Sequence, residues 1–407
     1  MRISTSAFYE NASGKISDLQ SGVAQKMAQI SANRRILTPA DDPVAAAAAL
    51  EVTQQSSVNT QFEANRTSAK AALSLQENIL GNYTNLLQNV KTLTVAAGNG
   101  ALDDTQRKFM ASELQGNLEE LMGIANTRDS AGNFIFSGYQ STVQPFTQTS
   151  AGVVYNGDQG QRQLQVSTSR QLALNDSGDA IFERIKTGNG TFTTAAATTN
   201  SGGSVAGPGT VTNAALLTGH NYAIDFTVTG GATSFNVFDL TTDPTKATPL
   251  SVSGPYTAGQ SIAFDGLQFD ISGTPANTDS FSVQPSANQS IFKSISDLIT
   301  SLNTPTAGVA AKANLVTSLS AANTNFSAAL DAVLTVRAAG GARLQELDTL
   351  DSEGTDRSLQ YAATLSSLQD LDYAKAITEL TQQQITLQAA QQSFVKVANL
   401  SLFNYIN

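Results

Sequence analysis

The stretch LTPADDPVAAAAAL, residues 37–50, places a helix stop directly before a helix start. Pro39 biases Thr38 away from the α region, so a helix that arrives from the N-terminus ends here. Asp42 is a favourable N-cap, and Pro43 suits the first position of a new helix. The chain therefore stops one helix and begins another within a few residues.

The second half of the stretch gives the new helix a strong start. Asp41 adds negative charge near the positive end of that helix, and five successive alanines extend it at little cost. Such a sequence is compatible with an ordinary helix start. It is also compatible with an elbow between two helical layers, and the residues of that predicted elbow are Thr38, Pro39, Asp41, Asp42 and Pro43.

On the N-terminal side of the elbow, apolar side chains recur at spacings of three and four, as on one face of a helix. These residues are Ile16, Leu19, Val23, Met27 and Ile30. Burial of so few side chains does not offset the conformational entropy lost when the first 36 residues become ordered. We therefore expect this segment to be disordered in the monomer and to fold only against the C-terminal helix or another subunit.

The C-terminal end carries a matching stripe with a seven-residue repeat, which is typical of a coiled coil. Its members are Tyr373, Leu380, Leu387 and Phe394. From residue 380 onward the only charged side chain is Lys396, so this helix can lie against other protein without burying charge. We expect the two stripes to pack together in an assembly interface, closed at its end by Leu400, Leu402 and Phe403.

Longer helices are predicted between these ends. Helical patterns cover about 43–96 and about 104–126, and a further seven-residue repeat occupies the C-terminal third with Leu319, Phe326, Val333 and Leu347. The polar segment SEGTDR, residues 352–357, indicates a short interruption of that last pattern.

The middle of the chain has the composition of strands and turns. GNFIFSGY (132–139), GVVYNG (152–157) and RQLQVSTS (162–169) are typical of short strands with glycine-centred turns. Residues 187–290 contain 19 Thr, 13 Gly and only seven charged residues, and they alternate like the strands of a sandwich or barrel.

The predicted fold class is α+β: a discontinuous helical bundle or coiled coil formed by both chain ends, with an inserted β-rich outer domain. The predicted segments are an inner helical segment (1–40), a helical bundle with a β-hairpin region (41–186), an outer β-domain (187–290), the returning helices of the bundle (291–366) and a second inner helical segment (367–407).

Composition excludes several classes of function. The net charge of −10 argues against binding to nucleic acid or to an anionic membrane, since both need a basic patch. The chain has no cysteine, so disulfides and cysteine–zinc sites are impossible. No run of 18 apolar residues occurs, and the polar N-terminus lacks the apolar core of a signal peptide, so we expect neither a membrane span nor a cleaved leader.

Candidate chemical sites are weak. His220 is the only histidine, and no serine in the chain lies in a G-x-S-x-G motif that would accompany a catalytic triad. NDSGD, residues 175–179, could hold a hard cation but lacks the ligands of a calcium loop, and a turn is the simpler interpretation. We expect no enzyme activity and no catalytic, cofactor or metal site.

Four motifs resemble those of one family: MRISTSAFYENA at the N-terminus, NRRILTPADDPVAAAAAL around the elbow, ANTRDSAGNFIFSGYQSTVQPF after it, and the ending NLSLFNYIN. Together with RLQELDTLDSEGTDR and VVYNGDQGQRQLQV, they resemble the flagellin-like hook–filament junction proteins of bacterial flagella. The resemblance covers about three quarters of the chain and leaves out residues 187–290.

This resemblance implies a structural subunit that adapts the hook to the flagellin filament. It implies export to the extracellular flagellum without a cleaved signal peptide. The implied partners are other copies of the chain, the second hook–filament junction protein, flagellin, and an export chaperone that holds the C-terminal helix. Flagellin itself is the alternative, and an adhesin that binds through the β-domain is a less favoured one.

Overall fold

The computed structural model describes the backbone of residues 5–403 and the side chains of residues 7–398. Two compact units are present, Met1–Arg66 with Asp348–Asn407 and Thr67–Leu347. The first contains both chain ends, and we call it the terminal unit. The second contains the middle of the chain, and we call it the central unit.

The helices are long and lie mostly toward the two ends of the sequence. Their bounds are α1 Thr5–Ala32, α2 Pro43–Ala97, α3 Asp104–Ala125, α4 Ile291–Asn303, α5 Val309–Gln369 and α6 Tyr373–Phe403. Helices α2 and α5 each have residues in both units.

The strands are short, and every described pair is antiparallel. They are β1 Phe146–Thr149, β2 Gly152–Tyr155, β3 Gln163–Ser167, β4 Arg170–Ala173, β5 Ile185–Lys186, β6 Phe192–Ala196, β7 Val205–Ala206, β8 Thr210–Val211, β9 Tyr222–Thr229, β10 Ala232–Asp239, β11 Gly254–Pro255, β12 Ser261–Phe264, β13 Leu267–Ser272, β14 Ser280–Pro285 and β15 Asn288–Gln289. Two short helices are also present, a π-helix at Asp179–Glu183 and a 3₁₀-helix at Ala214–Leu216.

In the central unit, the helices and the small hairpins share one apolar core. Leu87 of α2 and Phe326 and Val333 of α5 are fully buried in it. A cluster of aromatic rings joins the π-helix and the hairpins to the helices, with ring centroids 4.9–6.0 Å apart; its members are Tyr83, Phe136, Phe146, Phe182 and Phe292.

Residues 192–285 form a domain with a separate apolar core. One sheet has the strand order β11-β10-β9-β14-β6, and the other has β12-β13-β7, with β8 also paired to β13. Side chains from both sheets enclose the core, including Phe226, Phe281 and Ile271. We call residues 192–285 the β-domain. The predicted α+β class, with helical ends around a β-rich middle, is confirmed.

The predicted interruption at residues 352–357 is wrong, because α5 continues through them. Gly354 has no Cβ, and the Arg66 guanidinium occupies that space: a Cβ there would lie 2.3 Å from Arg66 Nη2. Asn59 donates its amide to Gly354 O at 2.8 Å, and Arg66 pairs with Asp351 at 2.5 Å. The polar segment is therefore the contact face of a continuous helix within the terminal unit.

The predicted strand at residues 132–139 is also wrong, since the segment forms a series of turns. Phe134, Ile135 and Phe136 are all buried, although a strand would turn successive side chains to opposite faces. Gly138 has φ +73°, and a Cβ there would lie 2.1 Å from the Asp158 carboxylate. The segment follows the core surface closely because its glycines permit these bends.

Candidate functional site: the terminal helix pair and its elbows

Within the terminal unit, α1 and α6 pack side by side in opposite directions. At one end, Tyr373 Oη donates to Ile30 O at 3.1 Å. Further along, Lys26 pairs with Glu379 at 2.7 Å, and this ammonium group lowers the pKa of the Glu379 carboxyl. These contacts fix the relative register of the two helices.

The same register continues to the far end of the pair. The rings of Tyr9 and Phe394 meet edge to face, with centroids 5.7 Å apart. Each step of seven residues along α1 therefore corresponds to seven residues backward along α6. This register places Ile16 opposite Leu387 and Val23 opposite Leu380.

The predicted stripe residues differ in their burial along this seam. Ile16, Leu19, Val23 and Ile30 are half-buried, as are Leu380, Leu387 and Phe394. Met27 stays 52% exposed and Tyr373 46% exposed. The structure therefore brings most of the two stripes together and leaves Met27 at the surface. Leu400, Leu402 and Phe403 lie outside the residues whose side chains are described.

Other apolar side chains of α6 face away from α1. Ile377 is 52% exposed, Ile385 is 58% exposed, and Val395 is 54% exposed. Neither acidic nor basic residues accompany them from residue 380 onward, apart from Lys396. A pair of helices can cover only one face of each member, so this outer face of α6 is available to another protein surface.

The start of α2 is capped as the sequence predicts. The N–H of Ala45 donates to Asp42 Oδ1 at 3.0 Å, so Asp42 is the N-cap that precedes Pro43. This hydrogen bond and the Arg35 guanidinium hold the pKa of the Asp42 carboxyl below its usual range.

Asp41 stabilises the turn before the helix. The N–H groups of Thr38 and Leu37 donate to Asp41 Oδ2 at 2.8 and 2.9 Å, and these bonds lower the pKa of its carboxyl. Its other oxygen accepts from Gln25 Nε2 at 2.6 Å, which ties the elbow back to α1. Pro39 itself lies in the exposed part of the turn.

The α1–α2 elbow is bonded to a second elbow, between α5 and α6. Arg35 N donates to Gln369 O at 2.7 Å, and its guanidinium donates to Leu368 O at 2.7 Å. Both carbonyls belong to the last turn of α5, where intrahelical donors are absent. The N–H of Lys375 donates to Asp372 Oδ1 at 3.1 Å, so Asp372 caps α6. Arg35 thus joins the end of one helix to the turn between two others.

Arg35 also makes an ion pair within the α1–α2 elbow. Its guanidinium lies 3.0 Å from Asp42 Oδ2. Gln29, which is 6% exposed, donates to Arg35 O at 2.6 Å. Sequence reasoning missed Arg35 as an elbow residue, because its partners at 368 and 369 lie more than 330 positions away. It also missed Gln29, although its partner Arg35 O is only six positions away. The double arginine at 34–35 beside the Pro39 turn was the available signal.

The other candidate sites in the sequence are occupied by structural contacts. The Asp176 carboxylate accepts two hydrogen bonds from Arg343, both at 3.0 Å, and one from Gln76 at 2.8 Å. His220 Nδ1 lies 2.8 Å from Asp239 Oδ2 in a turn of the β-domain. Within the described part of the chain, no group of three or more acidic or histidine side chains is placed to hold a metal ion.

Membrane insertion finds no support in the helices. None of those within the described residues combines the length and the hydropathy that a membrane crossing requires.

Two family models match parts of the chain. Residues 3–141 match the bacterial flagellin N-terminal helical region. Residues 195–285, nearly the whole β-domain, match the D2-like domain of flagellar hook-associated protein 1.

Relatives extend the similarity to the full length. Flagellar hook-associated protein 3 of Salmonella typhimurium is 28% identical over 404 residues, which cover 99% of each chain. Among solved structures, flagellar hook-associated protein 3 of Legionella pneumophila is 35% identical, with a TM-score of 0.73 over 78% of this chain and 98% of that one. FlgL of Xanthomonas campestris is 29% identical, with a TM-score of 0.71 over 77% of this chain and 99% of that one.

Proposed function

The chain belongs to the flagellar hook-associated protein 3 family, and on this premise we propose that it is a structural subunit of the junction between flagellar hook and filament. The name of a similar Legionella pneumophila structure, the flagellar junction protein FlgL, supports this role over that of flagellin. The chain's place is then the bacterial flagellum, and its function is mechanical rather than catalytic.

Assembly-coupled folding is the proposed mechanism, and the seam between α1 and α6 is the observation that carries it. Its apolar residues are only half-buried in one copy, so the seam alone gains little of the free energy that full burial would provide. Ile377, Ile385 and Val395 are about half exposed, so covering the rest of their surface would add about 1 kcal/mol each when another protein surface lies over them. The terminal helices are therefore weak alone and become firmly ordered in the assembly.

The scarcity of charge on α6 from residue 380 onward, where Lys396 is the only charged side chain, favours the same mechanism. A helix whose outer face becomes buried cannot carry Lys or Glu there without a large desolvation cost. Glutamine and threonine side chains form hydrogen bonds in either setting, so they allow α6 to be hydrated before assembly and covered afterward.

The two elbows set the boundary of the inner segment in this proposal. Asp41 and Asp42 hold the start of α2, and Arg35 bonds that start to the end of α5. The two elbows, between α1 and α2 and between α5 and α6, therefore lie next to each other. The helix pair can order as one element beyond these elbows while the rest of the terminal unit keeps its fold.

The partners proposed for these surfaces are other copies of the chain, the second junction protein toward the hook, and flagellin toward the filament. An export chaperone is proposed to cover the C-terminal helix before export, which would proceed without a cleaved signal peptide to the extracellular flagellum. The β-domain as an adhesin remains a less favoured alternative. A glycan array probed with the full chain tests it, and specific binding there would support the adhesin.

Deletion of the gene in the source bacterium tests the junction role. We expect bare hooks and flagellin released into the medium, because filament subunits would have no site to attach to. Complementation with Leu387→Asp should fail, since the charge enters the seam opposite Ile16. Gln260→Asp, which adds the same charge at an exposed position of the β-domain, is the control.

The deletion strain and the Leu387→Asp variant test the junction role and the folding mechanism separately. Normal filaments in the deletion strain would contradict the junction role. Full filament attachment with Leu387→Asp, in protein whose β-domain is folded, would contradict the pairing of α1 with α6.

A further inference from the structure

The β-domain is joined to the helices of the central unit by a narrow neck. The chain enters it through residues 185–191 and leaves it through residues 285–289. The neck is a ribbon in which β5 pairs with β15 over two residues, and Thr187 N donates to Ala287 O at 3.0 Å. Gly188 and Gly190 have φ values of +60° and +86° in this ribbon, which glycine adopts without strain. One hydrogen bond ties the neck to the helices, from Gly188 N to Asn325 Oδ1 of α5 at 3.0 Å.

The two apolar cores do not extend across this neck. The core of the helices includes Ile185 and Ile291 at its edge, whereas the core of the β-domain begins at Phe192 and ends at Val283. Of the hydrogen bonds and ion pairs that the structure gives between described residues, none joins 192–285 to α4 or α5. The hydrophobic effect therefore holds each body together without holding them to one another.

A cleft lies between part of the sheet and the helices, next to a region where Ala206 and Pro208 approach Thr317 and Ala321 of α5. Its volume is about 370 Å³. Thr193 and Gln284 line it from the sheet, and Ser294, Ser318 and Asn325 line it from the helices. These polar side chains exchange hydrogen bonds with water at little cost, and Leu298 and Ala322 add a small apolar part to the lining. The cleft can therefore change its width without breaking direct hydrogen bonds between the two bodies.

We propose that the β-domain is a swivelling body that turns about the neck at residues 185–191 and 285–289 over the facing surface of α4 and α5. A contact outside the neck allows a test, because a Cβ on Gly203 would lie 3.7 Å from the Cβ of Val309 at the start of α5. That separation is within the range of a disulfide. The chain has no cysteine, so introduced cysteines are unique.

The first experiment measures distance distributions by electron–electron double resonance on the full chain. Thr227→Cys on β9 and Ser112→Cys on α3 carry spin labels across the neck. Thr300→Cys on α4 with the same Ser112→Cys is the matched pair within the bundle, where α3 and α4 pack together. All three positions are exposed. We expect a distribution at least twice as wide across the neck as within the bundle, and equal widths would overturn the proposal.

The second experiment locks the swivel. Gly203→Cys/Val309→Cys should oxidise to a disulfide, since Gly203 is not at a positive φ and Val309 is 66% exposed. Small-angle scattering of the oxidised chain should fit one conformation, and reduction of the same sample should require several. Identical curves before and after reduction would overturn the proposal. The single variants Gly203→Cys and Val309→Cys, each expected to show no change on reduction, control for effects of the reductant.

Discussion

The same seven-residue apolar repeat has different outcomes in the two units. In the central unit, Phe326 and Val333 of α5 are fully buried. In the terminal unit, Leu380, Leu387 and Phe394 of α6 remain half-buried. The repeat predicts which face of a helix turns toward a neighbour, and the number of neighbouring elements decides how completely that face is covered.

The difference has an energetic meaning. A residue in the central core loses its whole surface to contact with other residues of the same chain, so its contribution to stability is already realised in one copy. A residue in the α1–α6 seam keeps part of its surface exposed in one copy. The rest of its contribution to stability is gained only when an additional surface covers it. The terminal unit is therefore the part of the molecule whose stability depends most on assembly.

The largest expected difference is in the stability lost when a core residue of the central unit or a seam residue of the terminal unit is truncated. Phe326→Ala should destabilise the central unit by about 3–5 kcal/mol, because it removes a fully buried ring and leaves a cavity. Leu387→Ala should cost less than half of that in the isolated chain, since its side chain is half-buried. Urea denaturation followed by hydrogen exchange of each unit measures both, and equal losses would contradict the comparison.

Gly354→Ala tests how much the buried polar contacts of the terminal unit contribute to its stability. The new methyl group would displace the Arg66 guanidinium and weaken its bond to Asp351, so we expect a loss of about 1.5–3 kcal/mol. Gly341→Ala in the same helix meets nothing within 4 Å and should instead stabilise by about 0.5–1 kcal/mol. Thermal unfolding distinguishes them, and the same sign for both would be inconsistent with this account.

Tyr83→Phe tests a polar atom within the central core. Tyr83 is fully buried, and no described side chain or backbone group bonds its hydroxyl; burial raises the pKa of that hydroxyl. Removing it should stabilise the chain by about 1 kcal/mol, because the ring stays and the buried polar atom goes. Urea denaturation provides the measurement, and a loss of stability would show that the hydroxyl has a partner.

The smallest expected effect is the weakening of the α1–α2 elbow by acid. The folded-state pKa values of Asp41 and Asp42 are lowered, so their contribution is complete above the unfolded value of about 3.9 and is lost as the pH falls through the lower folded values. Exchange protection of the Ala45 amide, corrected for intrinsic rate, should fall below about pH 4. Asp42→Asn keeps the cap without the charge and should show a weaker dependence on pH.

Most of what the sequence predicts here rests on neighbours a few residues apart. The cap at Asp42 and the apolar faces of α1 and α6 follow from helix geometry and local hydrogen bonds. The predicted helix stop at Thr38 is wrong, because α1 already ends at Ala32, where Asn33 has φ +54°. The same reasoning fails at 352–357, where a polar, glycine-containing run looks like a break. Arg66 and Asn59 reach that run from almost 300 residues away and keep it helical.

The sequence by itself determined where α2 begins, which helix faces are apolar, and that Lys396 is the only charged side chain from residue 380 onward. Only the tertiary structure decided that α1 ends at Ala32, that Arg35 joins two elbows, that Met27 stays outside the seam, and that a cleft lies between part of the β-domain and α4 and α5. The physical reason is the separation along the chain over which each kind of interaction acts. Caps and periodicity act within one or two turns of a helix, whereas burial and paired charges depend on segments that the chain brings together only by folding.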